Sequence, residues 1–185
     1  MMPNDIGILQ EMIKDSAKIP DKKQVTLIES KDPKNRKVTI SGLPDDAIVI
    51  KADEFTPLDT VFECSKGECK CADFIIVANT GKKRVIIYIE MKAAKESEKQ
   101  IIQQLNGARC FMSYCREIGK SFWQSRDFLT RYQERFVKII PASIPKKPTR
   151  PSEQMGDHDK PDKMLKINTT KNGRLAFNQL AGKPR

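Results

Sequence analysis

The sequence predicts a mixed α/β (α+β) domain, and three observations carry that reading. From residue 24 to 92 short β-branched runs alternate with turn formers, whereas from Glu96 onward apolar residues recur at helical spacing. The chain of 185 residues is 38% hydrophobic, enough for one sizeable core and short for two. A formal charge of +10 and a pI near 9.4 point to a polyanionic partner, nucleic acid ahead of an anionic membrane surface. No apolar run reaches the roughly 18 residues of a membrane span, and the start "MMPNDIGILQEMIKDS" lacks a basic segment followed by an apolar one. The expectation is a soluble, cytoplasmic protein with no membrane partner.

Taken in order, Ile6, Leu9, Met12 and Ile13 predict an amphipathic helix over residues 5–18, with Asn4 or Asp5 as N-cap and Pro20 as stop. "QVTLIES" and "RKVTISGL" flank the turn formers of "KDPKN" and predict an antiparallel hairpin extension, and "DDAIVIKADEF" a further strand. Between Thr60 and Lys92, "TVFEC", "KCADFIIVA" and "RVIIYIEMK" predict two or three strands separated by turns at residues 65–67 and 79–81. Ile101, Leu105, Ala108, Met112 and Cys115 then trace one face of a helix ending near Gly119. Phe122, Trp123, Phe128, Leu129, Tyr132 and Phe136 predict another helix, and "FVKII" a short strand before Pro141. These elements place the domain in residues 1–140. Residues 141–185 read as a basic, proline-containing arm, since from Lys138 onward eleven Lys or Arg face four Asp or Glu, a net of +7.

Asp73, Glu90 and Lys92 interrupt strands that otherwise look built to be buried, where an unpaired charge costs several kcal/mol. If Asn79 pairs with Arg84 across a four-residue loop, partner numbers sum to 163 and Asp73 stands opposite Glu90. With side chains alternating, Asp73, Ile75 and Val77 then share a face with Ile86, Tyr88, Glu90 and Lys92, and Phe74, Ile76, Ile87, Ile89 and Met91 share the other. Two carboxylates facing each other repel, and a divalent cation reverses the sign of that interaction. The alternative is a salt-bridged strand end with Asp73 at the surface. The co-occurrence of the aspartate, the hairpin, the E-x-K and a following amphipathic helix favours the metal reading.

The stretch "ADFIIV…VIIYIEMK" resembles the core motif of the PD-(D/E)XK, or restriction-endonuclease-like, nuclease superfamily, with Asp73 as its aspartate and Glu90 and Lys92 as its E-x-K. Ala72 stands where the motif's name has proline. The resemblance covers residues 54–115 and implies a mixed central sheet flanked by helices and Mg²⁺-dependent phosphodiester hydrolysis, with Mn²⁺ as substitute. It implies that Asp73, Glu90 and the Met91 carbonyl bind metal and that Lys92 assists the attacking water or the transition state. Accessory positions it suggests are Glu11 on the first helix, in competition with Asp53, Glu54 and Asp59, and Gln104 rather than Gln103 on the helix after E-x-K.

The five cysteines, Cys64, Cys69, Cys71, Cys110 and Cys115, are read as reduced thiols; structural Zn²⁺ at Cys64, Cys69 and Cys71 is disfavoured for want of a fourth ligand. His158, in "MGDHDKPDK", reads as a solvated loop histidine. Lys146, Lys147 and Arg150 in the arm are candidate phosphate contacts. The expected function is a Mg²⁺-dependent nuclease, DNA ahead of RNA as partner, in a restriction, repair or defence setting by analogy with the superfamily. The rival is a non-catalytic nucleic-acid-binding or assembly subunit of the same fold. Assembly as a homodimer or within a larger protein complex is left open.

Overall fold

The computed structural model describes residues 4–20, 23–29, 37–55, 60–92, 97–142, 157–170 and 172–182. The first helix, α1 (Asp5–Met12), starts at Asn4, whose side-chain oxygen accepts the Gly7 N–H at 2.7 Å as an N-cap. It buries Ile6, Ile8 and Leu9 and ends earlier than its periodicity suggests. The chain passes through a 3₁₀ turn at Asp15–Ala17 because β1 (Lys18–Ile19) is drawn into pairing with β4 (Asp46–Lys51).

The expected hairpin forms as β2 (Gln24–Ile28) and β3 (Lys37–Ser41), paired from Gln24↔Ser41 to Ile28↔Lys37. The central hairpin is β5 (Phe74–Asn79) and β6 (Arg84–Met91), and its register, Asn79↔Arg84 through Phe74↔Ile89, is the one whose partner numbers sum to 163. "TVFEC" forms no strand. Residues 60–64 are turns, Val61 and Phe62 are exposed, and Cys64 adopts a positive φ of 57° that breaks extension.

The long helix α2 (Glu98–Phe122) buries Ile101, Leu105, Ala108, Met112 and Cys115, the stripe its sequence predicts. The helix expected over the aromatic run is replaced by turns, in which Gln124 and Leu129 take positive φ values of 54° and 57°. Its aromatics still enter the core: Phe128 and Phe136 are fully buried. From Gln133 the chain is already β7 (Gln133–Ala142), twice the length of "FVKII".

The chain beyond β7 is not a separate arm over its described part. β8 (Leu165–Thr170) pairs in parallel with β7, β9 (Asn172–Ala176) pairs in parallel with β3, and α3 (Phe177–Ala181) buries Phe177, Leu180 and Ala181. Three basic side chains fasten the end of α3. Lys83 and Arg135 donate to the Ala181 carbonyl and the His158 ring bonds the Leu180 carbonyl at 2.9 Å, where a helix C-terminus favours cationic partners. His158 is therefore a buried packing residue, 6% exposed and not solvated, and burial lowers its pKa.

A six-stranded mixed sheet, ordered β1-β4-β5-β6-β7-β8, thus lies between α1 and α2 on one face and the sheet β2-β3-β9 with α3 on the other. β5 and β6 are covered on both sides, hence their nearly continuous apolar runs. No helix of the described residues is long and apolar enough to cross a membrane.

Candidate functional site

One step beyond Phe74↔Ile89, the same register sets Asp73 opposite Glu90 at the end of the sheet. Ile75, Val77, Ile86 and Tyr88 belong to the core under the helices, whereas Phe74, Ile76, Ile87, Ile89 and Met91 belong to the core under the second sheet. By alternation Asp73 and Glu90 face the helix side together.

Local packing fixes Asp73. A Cβ on Gly107 of α2 would lie 1.7 Å from the Lys70 carbonyl oxygen, so this glycine lets the chain entering β5 lie directly on the helix. Ala72 is fully buried, and the Ala52 N–H donates to the Asp73 carbonyl at 2.9 Å. The Asp73 carboxylate in turn accepts the Met91 N–H at 2.7 Å. In a strand the N–H and C=O of one residue point to the same side, so the Met91 carbonyl is directed toward Asp73. The Lys92 N–H turns the other way and donates to the Ile139 carbonyl of β7.

Glu90 is fully buried, and neither carboxylate oxygen has a well-formed hydrogen bond, the Lys92 ammonium and the Asp73 N–H reaching the carboxylate only at marginal geometry. The Lys92 ammonium lies 3.5 Å from Glu90 Oε1 and 3.4 Å from Glu29 Oε1. Burial, with the Asp73 charge added, pushes the Glu90 carboxyl up to about 9. Burial likewise raises Asp73 to about 7, against the Met91 N–H and the Lys92 charge, with Glu29 and Asp53 adding to the rise. Burial alone would depress Lys92, but Asp73, Glu90 and Glu29 together hold it above the ordinary lysine value. At neutral pH the pair retains protons while Lys92 stays charged, the state a cation would displace.

The row does not stop at Glu90. Parallel pairing sets Lys138 of β7 beside Glu90, and Lys166 of β8 beside Lys138. Four neighbouring strands thus present carboxylate, carboxylate, ammonium and ammonium in register on the helix side. Lys138 is 6% exposed, and Lys166 is paired with Glu98 in the first turn of α2 at 2.6 Å.

Other expected residues fall elsewhere. Glu11 accepts from the Trp123 indole N–H at 2.8 Å, beside the C-terminal end of α2 and away from the carboxylates, because α1 packs under the opposite end of the sheet. Gln104 is half-buried on α2 and makes no hydrogen bond to Asp73, Glu90 or Lys92. Its neighbour Gln103 is the engaged one, bonding the Lys66 carbonyl and the Lys70 ammonium at 2.7 and 2.9 Å. Cys64 and Cys69, expected as thiols, are joined in a disulfide, which leaves Cys71, Cys110 and Cys115 free. Lys146, Lys147 and Arg150 lie outside the described residues, as does Asp59.

Glu29 and Lys138 escaped the sequence reading, although both carry a signal. Glu29 continues the inward row Val25, Leu27 of β2, and Lys138 has the parity of Phe136 within "FVKII". Among the described residues no three His, Cys, Asp or Glu side chains converge as a ready metal cage. The arrangement offers two carboxylates and a carbonyl, a donor set that suits Mg²⁺ held jointly with water and substrate oxygens. Comparison with known proteins returns no match to a family model, a curated protein or a solved structure.

Proposed function

We propose that the protein is a Mg²⁺-dependent nuclease of the restriction-endonuclease-like kind, acting on DNA ahead of RNA, with β4 to β7, α1 and α2 as its catalytic core. The observation that carries the reading is Glu90, a fully buried carboxylate without a well-formed hydrogen bond, facing Asp73 across one strand pair and beside a charged lysine. Such an arrangement costs stability in the free protein and acquires a purpose only when a cation joins it.

Asp73, Glu90 and the Met91 carbonyl would hold the ion, whose Lewis acidity supplies water activation and charge neutralisation at phosphorus. Asp73 is oriented for this by the Met91 N–H, and Glu90 by the strand. A water oxygen bonds to phosphorus and gives up a proton to solvent, the P–O bond to the sugar oxygen breaks, and that leaving oxygen takes a proton from solvent. Lys92, held protonated by its three carboxylate neighbours, acts as a fixed positive charge where negative charge develops, rather than as a base.

The test is cleavage of linear, circular and single-stranded DNA and of RNA with Mg²⁺ or Mn²⁺. Lys92→Ala and Glu90→Gln should each lower the rate by about 10²- to 10³-fold, the range for loss of one preorganised electrostatic contact, and leave binding nearly unchanged because the chain carries a net +10. Wild type that binds DNA tightly but cuts no substrate would instead establish the non-catalytic binding subunit. Variants as active as wild type would place the chemistry elsewhere.

A further inference from the structure

We propose that Lys138, with Lys166 beyond it, forms a second phosphate subsite that grips the nucleic-acid phosphate next to the one being cleaved. The inference rests on the nuclease reading and extends it. The in-register row runs from Asp73 through Glu90 to Lys138 and Lys166, so one end demands a cation and the other an anion. Strands lie about 5 Å apart, so the two ammonium positions start about 5 and 10 Å along the row from Glu90. Successive phosphates of a nucleic-acid backbone follow one another on that scale.

Lys138 has the form of a binding residue rather than a solubilising one. The residue is 6% exposed, and since its nitrogen neither makes a hydrogen bond to the described residues nor counts among the buried side-chain atoms that lack one, the covered stem carries the ammonium to the surface. No carboxylate or carbonyl of the described residues holds that ammonium, in contrast to Lys92, Lys166 and Lys83, each of which has an acceptor. A lysine with its stem immobilised has lost much of its side-chain entropy before a phosphate arrives.

The full-length protein is tested on oligonucleotides whose cleaved linkage has been mapped, with each neighbouring phosphate replaced in turn by a neutral methylphosphonate. For wild type, neutralising one neighbouring phosphate should lower kcat/KM about 10- to 100-fold. For Lys138→Met, of similar volume, the unmodified substrate should suffer that loss and the methylphosphonate substrate no further loss, while Lys138→Arg restores the discrimination. Binding in Ca²⁺ should lose about one unit of salt slope in Lys138→Met. If Lys138→Met cuts as wild type does, or loses the same factor on charged and neutral substrates alike, the subsite is refuted while the nuclease reading stands. Wild type inert on every substrate would overturn both.

Discussion

Glu90 is the residue on which the chemistry and the stability of the site pull in opposite directions. Its folded-state pKa of about 9 lies above the ordinary carboxyl value of 4.5, so the folded state favours the protonated form. The resulting stabilisation is complete below pH 4.5 and is lost as pH rises through about 9; Asp73, raised to about 7, adds a similar loss over a lower window. Metal-free wild type should therefore lose thermal stability between pH 5 and pH 9 faster than Glu90→Gln, the two converging near pH 4.5. Each 1 kcal/mol separating them is about 2–4 °C in Tm for a chain of this size. Mg²⁺ should raise the wild-type Tm more at pH 9 than at pH 6, since binding displaces protons, and should do little for the variant. Parallel Tm profiles for the two proteins would show that Glu90 does not titrate as a buried carboxyl.

At the scale of elements, the site depends on how closely α2 approaches the chain entering β5. Gly107→Ala puts a methyl against the Lys70 backbone carbonyl, which cannot swing aside as a side chain would. Overpacking of this kind costs about 1–3 kcal/mol, and here the displaced segment carries Asp73. The variant should melt lower and show a smaller Mg²⁺-induced rise in Tm, whereas Ser113→Ala, exposed on the same helix, should stay within about 0.5 kcal/mol of wild type. A Gly107→Ala protein with wild-type Tm and metal response would mean that the two backbones are not in contact. These elements also show what was legible in the sequence. The β5/β6 register could be read because a four-residue loop and period-two alternation leave one pairing, and the α2 stripe because its period persists over 25 residues. The helix expected from Phe122 to Phe136 does not form beyond the end of α2, because aromatics at near-helical spacing also suit a chain of turns that drops single side chains into a core. For Glu29 and Lys138 alternation gives the face on which each lies, but which strands meet at the site is set by long-range pairing and packing, which local periodicity does not encode.

For the whole molecule, the C-terminal segment decides whether the two sheets form one unit. β8 completes the six-stranded sheet and β9 completes the three-stranded one, so these two strands tie the C-terminal segment to both layers, and α3 fills the space between them with Phe177 and Leu180. Basic composition hid this, because "NGRLAF" buries only alternate residues, Gly173, Leu175 and Phe177, within a stretch rich in lysine and arginine. Truncation after Ile144 therefore removes more than charge. It deletes Met164, Leu175, Phe177 and Leu180 from the cores and uncovers the edges of β7 and β3. Deleting a large buried apolar side chain costs about 2–5 kcal/mol, whereas a domain is stable by about 5–15 kcal/mol in total, so four such losses exceed what the fold can absorb. The truncated chain should show no cooperative melt by circular dichroism and should aggregate through its exposed strand edges. The subtler substitution Phe177→Ala should leave a folded protein whose Tm is lower by about 6 °C or more. A truncated protein that melts cooperatively near the wild-type temperature would make the C-terminal segment a detachable arm after all, and would leave the phosphate subsite proposed at Lys166 to a segment that the rest of the chain does not need in order to fold.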